Sequence, residues 1–165
     1  MINLGYLTPN YKNTPVARYQ TASQIAGAIV KAVGDSKKAA DTLAPNFENT
    51  NKYNQAKLIF VFIKNAVPYV KEPGNNQTAK TVPRILADAK KYGGDCKHYS
   101  TIAASLCKSL GIRCKLRLIS QHFNSKTPNH IYCVALINGK EVIIDPVLKN
   151  FDTEARYNYK YDINI

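Results

Sequence analysis

Apolar residues return every three or four positions through most of the first two thirds of the chain, then switch to strict alternation after residue 112. Ile25, Ala28, Ile29, Ala32 and Val33 predict a first helix from about Thr21, with Ser23 able to cap it and Gly34 ending it. A short second helix is predicted over 35–43, stopped before Pro45. Ala56, Ile59, Phe60, Ile63 and Val67 predict a third over 50–66, closed by Pro68. Residues 69–81 read as a polar loop around Pro73 and Gly74, and 83–91 as a short helix whose charges face solvent. Gly93-Gly94 breaks the chain. A further helix opens at or just after Asp95, with Tyr99, Ala103, Leu106, Cys107 and Leu110 on one side and Gly111 as its stop.

From Arg113 the period is two. Arg113, Lys115 and Arg117 alternate with Cys114, Leu116 and Leu118, which predicts a half-buried strand over 113–120. A polar loop over 121–129 leads to a second strand, 130–137. Asn138-Gly139 is a strong two-residue hairpin signal, and a third strand follows over 141–144, ended by Asp145-Pro146. Tyr157, Tyr159 and Tyr161 alternate with polar residues and predict an edge strand over 156–163. Residues 1–18 show no periodicity and read as an irregular N-terminal arm. Helices followed by an antiparallel sheet make an α+β protein, with the N-terminal helices packed on the C-terminal sheet and residues 1–165 forming one domain.

Composition narrows the class. Hydrophobic residues make up 45% of the 165, enough for one packed core. No apolar run approaches the roughly 18 residues that a membrane helix needs, so no membrane insertion is expected. The first ten residues carry no basic start followed by an apolar segment, so a secretory leader is not expected either and a cytoplasmic setting is. In that reducing setting the four cysteines (96, 107, 114 and 133) read as free thiols, Cys107 and Cys133 as core fillers. The net charge is +12, and nine Lys or Arg stand against Asp88 and Asp95 between residues 80 and 117. Such a field serves solubility or attracts acidic proteins or nucleic acid, but no nucleic-acid-reading motif is present.

Chemistry is concentrated at Gly93-Gly94-Asp95-Cys96. Two glycines permit a tight turn, Asp95 can cap the helix, and Cys96 then sits in the first turn, where free N–H groups and the helix dipole favour a thiolate. The same N–H groups can hold an oxyanion. A thiol nucleophile needs a base and an orienting group. Of the three histidines, His98 is two residues past Cys96 on the same helix and reads as a surface residue, and His122 lies in a polar loop. His130 opens the second strand. Reflecting 130 through the Asn138-Gly139 turn places Asp145 near the start of that strand, in reach of the imidazole. Tyr69, Gln77 and Gln121 are candidates for a second oxyanion donor. A metal site drawn from Cys96, His98, Cys107 and Cys114 is poorly spaced, with no Cys-x-x-Cys, so neither metal nor other cofactor is expected.

Gly94-Asp95-Cys96, followed by Ser100, Ala103, Ala104, Leu106 and Leu110-Gly111-Ile112, then His130-Ile131-Tyr132 and Ile144-Asp145-Pro146, resembles the transglutaminase-like superfamily. The likeness is to its small bacterial and phage cysteine peptidases. Phe62-Ile63, Val67-Pro68-Tyr69-Val70, Pro83 and Leu86 extend it, so that it covers about residues 20–148. The resemblance implies a papain-like α+β core, Cys96 as nucleophile, His130 as general base and acid, Asp145 as its orienter, and acyl chemistry on an amide of a protein or peptide, by hydrolysis or by transfer to an amine. A phage origin would place the chain in the host cytoplasm or the virion, and an idle virion or scaffold protein that keeps the fold is the alternative. The chain departs from the family at Lys97-His98, where acidic residues are common, and at Val142-Ile143, where a Trp is common.

Overall fold

A computed structural model describes residues 12–16, 22–74 and 76–165, without the side chains of Val16, Ala22 and Ser23. In chain order the elements are β1 (Asn13–Val16), α1 (Ala22–Asp35), α2 (Lys37–Leu43), a 3₁₀ turn (Ala44–Phe47) and α3 (Lys52–Ala66). Then come β2 (Gln77–Lys80), α4 (Val82–Tyr92), α5 (Cys96–Ser109), β3 (Arg113–Ser120), β4 (His130–Ile137), β5 (Lys140–Ile144) and β6 (Tyr159–Asn164). Among the described residues no helix is long and apolar enough to cross a membrane.

The sheet runs in the order β5-β4-β3-β6, antiparallel throughout. Asn138 and Gly139 both take positive φ, as the two-residue turn requires, and this sets Ile137 opposite Lys140 and Cys133 opposite Ile144. α5 lies on β3 and β4, and α1, α2, α3 and α4 pack around it. Every residue from Lys97 to Cys107 is therefore buried, which the one-sided apolar pattern did not indicate. Ile102, Ala103, Leu106, Leu116, Cys133 and Ile144 share one core with Ile29, Ile59 and Ile85 of the outer helices. The opposite face of the sheet is also covered. Ile119, Tyr132, Val134 and Ile143 are buried there beneath Ala155 and Tyr157. Arg117, read from the alternation as a solvated residue, is 1% exposed on that side.

Two segments differ from their irregular reading. β1 lies within the supposed arm and pairs antiparallel with β2, which lies within the supposed 69–81 loop, with Asn13 opposite Lys80 and Val16 opposite Gln77. Four-residue strands, one with Pro15 inside it, carry too few positions to show a period. Residues 1–11 and 17–18 of the arm fall outside the described residues, as does Thr21, and the Ser23 cap has no described side chain.

Candidate active site

Cys96 is the first residue of α5, and the helix start is built from the residues beside it. Asp95 is the N-cap: its Oδ1 accepts the N–H of Lys97 at 3.2 Å. His98 completes a capping box, its Nδ1 accepting the N–H of Asp95 at 3.1 Å. This corrects the reading of His98 as a surface residue: it is 1% exposed and holds the turn that carries Cys96.

Lys97 is buried as well, and its ammonium bonds the Asp95 carboxylate and lies 3.3 Å from Glu72 Oε2. Glu72 in turn accepts the Thr78 N–H at 2.7 Å and the Thr78 hydroxyl at 2.5 Å. Lys80 and Arg84 converge on Asp88 at 3.1 and 2.9 Å, so the charges of α4 are not simply a solvated face. Burial alone would push the Asp95 carboxyl up, but His98 and Lys97 outweigh it and hold it well below the usual carboxylate range. The sequence reading missed Glu72, which stands more than twenty residues from Lys97 with no local signal. It also overstated the positive field at Cys96, because Lys80, Arg84, Lys97, Lys115 and Arg117 are all ion-paired.

Backbone contacts fix the approach to α5. The Gly94 N–H donates to the Pro68 carbonyl and the Val70 N–H to the Gly94 carbonyl, both at 2.9 Å. Gly93 has φ +64°, and a Cβ there would meet the Pro68 oxygen at 2.5 Å and the Val70 side chain at 2.6 Å. Gly93→Ala is therefore expected to cost about 2 kcal/mol or more, the scale of a strained backbone plus a clash with main chain. A urea titration checks this, and an unchanged midpoint would contradict it.

The opposite wall comes from the sheet. The Ser100 hydroxyl is shared between the Cys96 carbonyl at 2.7 Å and the Ile131 carbonyl at 3.1 Å, docking the start of α5 against the start of β4. His130 Nε2 lies 2.7 Å from Asp145 Oδ2, and Asp145, 2% exposed, also accepts the Val147 N–H at 3.2 Å. His130 and Cys96 line the same two cavities, close enough for the sulfur to act on the imidazole. With Nε2 engaged by Asp145, Nδ1 is the nitrogen left for the sulfur. Burial opposes the imidazolium, but the Asp145 carboxylate and the Cys96 sulfur outweigh it and raise its pKa to about 9. The structure thus brings Cys96, His130 and Asp145 together, and leaves His122 exposed.

Tyr69, Gln77 and Gln121 all line a cavity of about 250 Å³ that contains Cys96 and His130. Gln77 Nε2 is already bonded to the carbonyls of Glu72 and Pro73 at 3.0 and 2.9 Å. The Tyr69 phenol is raised to about 12, by burial first and then by the negative groups Cys96, Asp95 and Asp145, so it stays an O–H donor.

All four cysteines are free thiols. Cys107 lies eleven residues along α5 from Cys96, roughly 16 Å at helical rise, so the Cys96, His98, Cys107 and Cys114 set is not assembled. Instead Cys107, Cys114 and Cys133 cluster in the core, their sulfurs all within 4.8 Å of one another. Hydrogen bonding within the trio and burial push Cys107 and Cys133 well up, while the same bonds pull Cys114 down.

Comparison with known proteins agrees with this architecture. The family model of the transglutaminase-like superfamily matches residues 41–140, a stretch that includes Cys96 and His130. A candidate protease from Parabacteroides distasonis superposes with a TM-score of 0.60 at 14% identity, over 77% of this chain and 27% of its own. A candidate cysteine protease from Cytophaga hutchinsonii gives 0.49 at 17% identity, over 82% of this chain and 48% of its own. The chain thus spans about a quarter and about half of these two proteins. No curated protein sequence matches it significantly. The family match takes in more than half of the chain, and the fold agrees with it: this chain belongs to the transglutaminase-like superfamily.

Proposed function

We propose that this protein is a cysteine-dependent enzyme acting on amide bonds, with Cys96 as nucleophile, His130 as acid and base, and Asp145 as the group that orients His130. One observation carries the reading: a single imidazole lies 2.7 Å from a buried carboxylate and shares a cavity with a thiol at a helix N-terminus. The Cys96 sulfur attacks the substrate carbonyl carbon, and the backbone N–H of Cys96, which lies outside the Asp95 cap, serves the developing oxyanion. The C–N bond then breaks, the amine leaves with the proton from the His130 imidazolium, and a thioester remains. Water adds to that carbonyl while His130 takes its proton. The C–S bond breaks, the product leaves as a carboxylic acid, and the thiolate–imidazolium pair is restored. We take water as the acceptor; a lysine amine in its place makes the same site a transglutaminase.

The pH profile follows from His130. Its pKa is raised, so the imidazolium that must protonate the leaving amine persists below about pH 9 and is lost above it. Amide turnover is expected to fall through about pH 9, and a proton NMR titration of His130 to move down in Asp145→Asn. An inflection near the ordinary value of about 6.5 would contradict this. Alkylation by iodoacetamide at pH 6 tests the pair more simply. Wild-type Cys96 is expected to react at least about tenfold faster than Cys96 in His130→Ala, since the His130 imidazolium favours negative charge on the attacking sulfur. Equal rates would end the enzymatic reading and favour an idle fold.

A further inference from the structure

Beside Cys96 lies a second, smaller cavity of about 110 Å³. Ile25 of α1, Leu118 of β3, Ile131 of β4 and Pro128 form its apolar walls, and Cys96 and His130 also line it. Leu118 and Ile131 stand opposite each other in the sheet on the face that carries α5. The register that delivers His130 therefore also delivers an apolar floor next to the sulfur.

The polar groups of this cavity are engaged elsewhere. The Lys97 ammonium is bound to Asp95 and Glu72. Gln77 Nε2 is held by two carbonyls. Asn129 is bonded through Oδ1 to the Gln121 N–H at 2.8 Å and through Nδ2 to Gln121 Oε1 at 3.3 Å. A charged side chain entering here would lose its hydration against walls that are mainly apolar. A branched aliphatic side chain would lose nothing and bury apolar surface. At roughly 30 Å³ for each water-sized group, 110 Å³ accepts about three or four heavy atoms. That is an isopropyl or isobutyl group, and an indole is too large.

The cavity shares Gln77, Cys96, Asn129 and His130 with the larger one, which reaches the exposed residues Tyr69, Lys71 and Gln121. The two differ in what they suit. A leaving amine must reach solvent after the first step, whereas the acyl group stays on the sulfur until water arrives. The small apolar cavity fits the group that stays.

We propose that this cavity is the specificity subsite for the residue whose carbonyl Cys96 attacks, and that it selects valine or leucine at that position. The proposal rests on the reading of Cys96 as the nucleophile. Its test is the inactivation rate of the full chain by N-acetyl-aminoacyl acyloxymethyl ketones carrying Gly, Ala, Val, Leu, Trp, Glu or Lys beside the reactive ketone. Val and Leu are expected to react about tenfold or more faster than Gly, with Trp, Glu and Lys no faster than Gly. Ile25→Phe, at a half-buried wall position, should bring the Leu-to-Gly ratio to about one. Flat rates across the series, a preference for Trp, Glu or Lys, or an unchanged ratio in Ile25→Phe would overturn the subsite. Iodoacetamide separates the two failures. If His130 still accelerates alkylation of Cys96 while the series is flat, only the subsite falls. If that acceleration is missing, the nucleophile falls and the subsite with it.

Discussion

Cys96→Ala is expected to abolish thioester formation and amide turnover, and His130→Ala to lower kcat/KM by about 10⁴-fold. Losses of this scale follow when the members of a catalytic unit are removed one at a time, because the remaining members have nothing to act on. Asp145→Asn is expected to cost a comparable factor while leaving the shape of the site intact. The Asn side chain can still accept the Val147 N–H, but it cannot stabilise an imidazolium as the carboxylate 2.7 Å from Nε2 does. Its effect should therefore fall on kcat more than on KM. Cys96 is only partly buried and opens a helix whose cap comes from Asp95, so alanine there should leave stability within about 0.5 kcal/mol. Mass spectrometry of the acyl-enzyme, turnover of amide substrates, and a thermal melt of each variant check this together. Turnover that survives in a folded Cys96→Ala variant would remove the proposed function outright.

The second large effect concerns stability, on the far side of the sheet. Arg117→Ala is expected to destabilise the fold by about 3 kcal/mol, the scale of losing a large buried side chain and its ion pairs to carboxylates that are themselves 27–42% exposed. Arg117 bonds Asp162 through Nε and an Nη at 2.8 and 2.9 Å, Glu154 at 2.6 Å and Glu141 at 2.9 Å. Tyr132 adds a bond to Glu154 at 2.7 Å. One guanidinium thus ties β3 to β5, to β6 and to the segment between them. Its positive charge holds Asp162 down at about 2. Removing it leaves a cavity and three carboxylates in one small region. For a chain of this length the melting temperature should fall by roughly 10 °C. A change of less than about 2 °C would show that the network contributes little.

Arg117 also marks how far a local pattern reaches. The alternation over 113–120 correctly placed Cys114, Leu116 and Leu118 toward the helices. It assigned the other face to water, because period two shows only that the faces differ. Here the polar face is polar because its partners are carboxylates brought over from residues 141, 154 and 162. The same limit hid β1 and β2. His98 was misplaced for a related reason. An imidazole in the first turn of a helix reads as exposed until the loop carrying Glu72 and Thr78 is folded over it.

What this sequence determines by itself is what short-range chemistry specifies. The three- and four-residue period makes the helices, Gly93-Gly94-Asp95 starts α5 at Cys96, and Asn138-Gly139 sets a register that puts Asp145 beside the start of β4. These depend on interactions within a few residues or across one tight turn, so the relevant free energies are present in the local chain. Tertiary structure alone decided that α5 is buried on all sides, that Ser100 docks on Ile131, and that Cys96 meets His130 across 34 residues of sequence. Such contacts form only when the whole core closes, because the chain entropy of bringing distant segments together is offset by the summed burial of all of them and by no single pair.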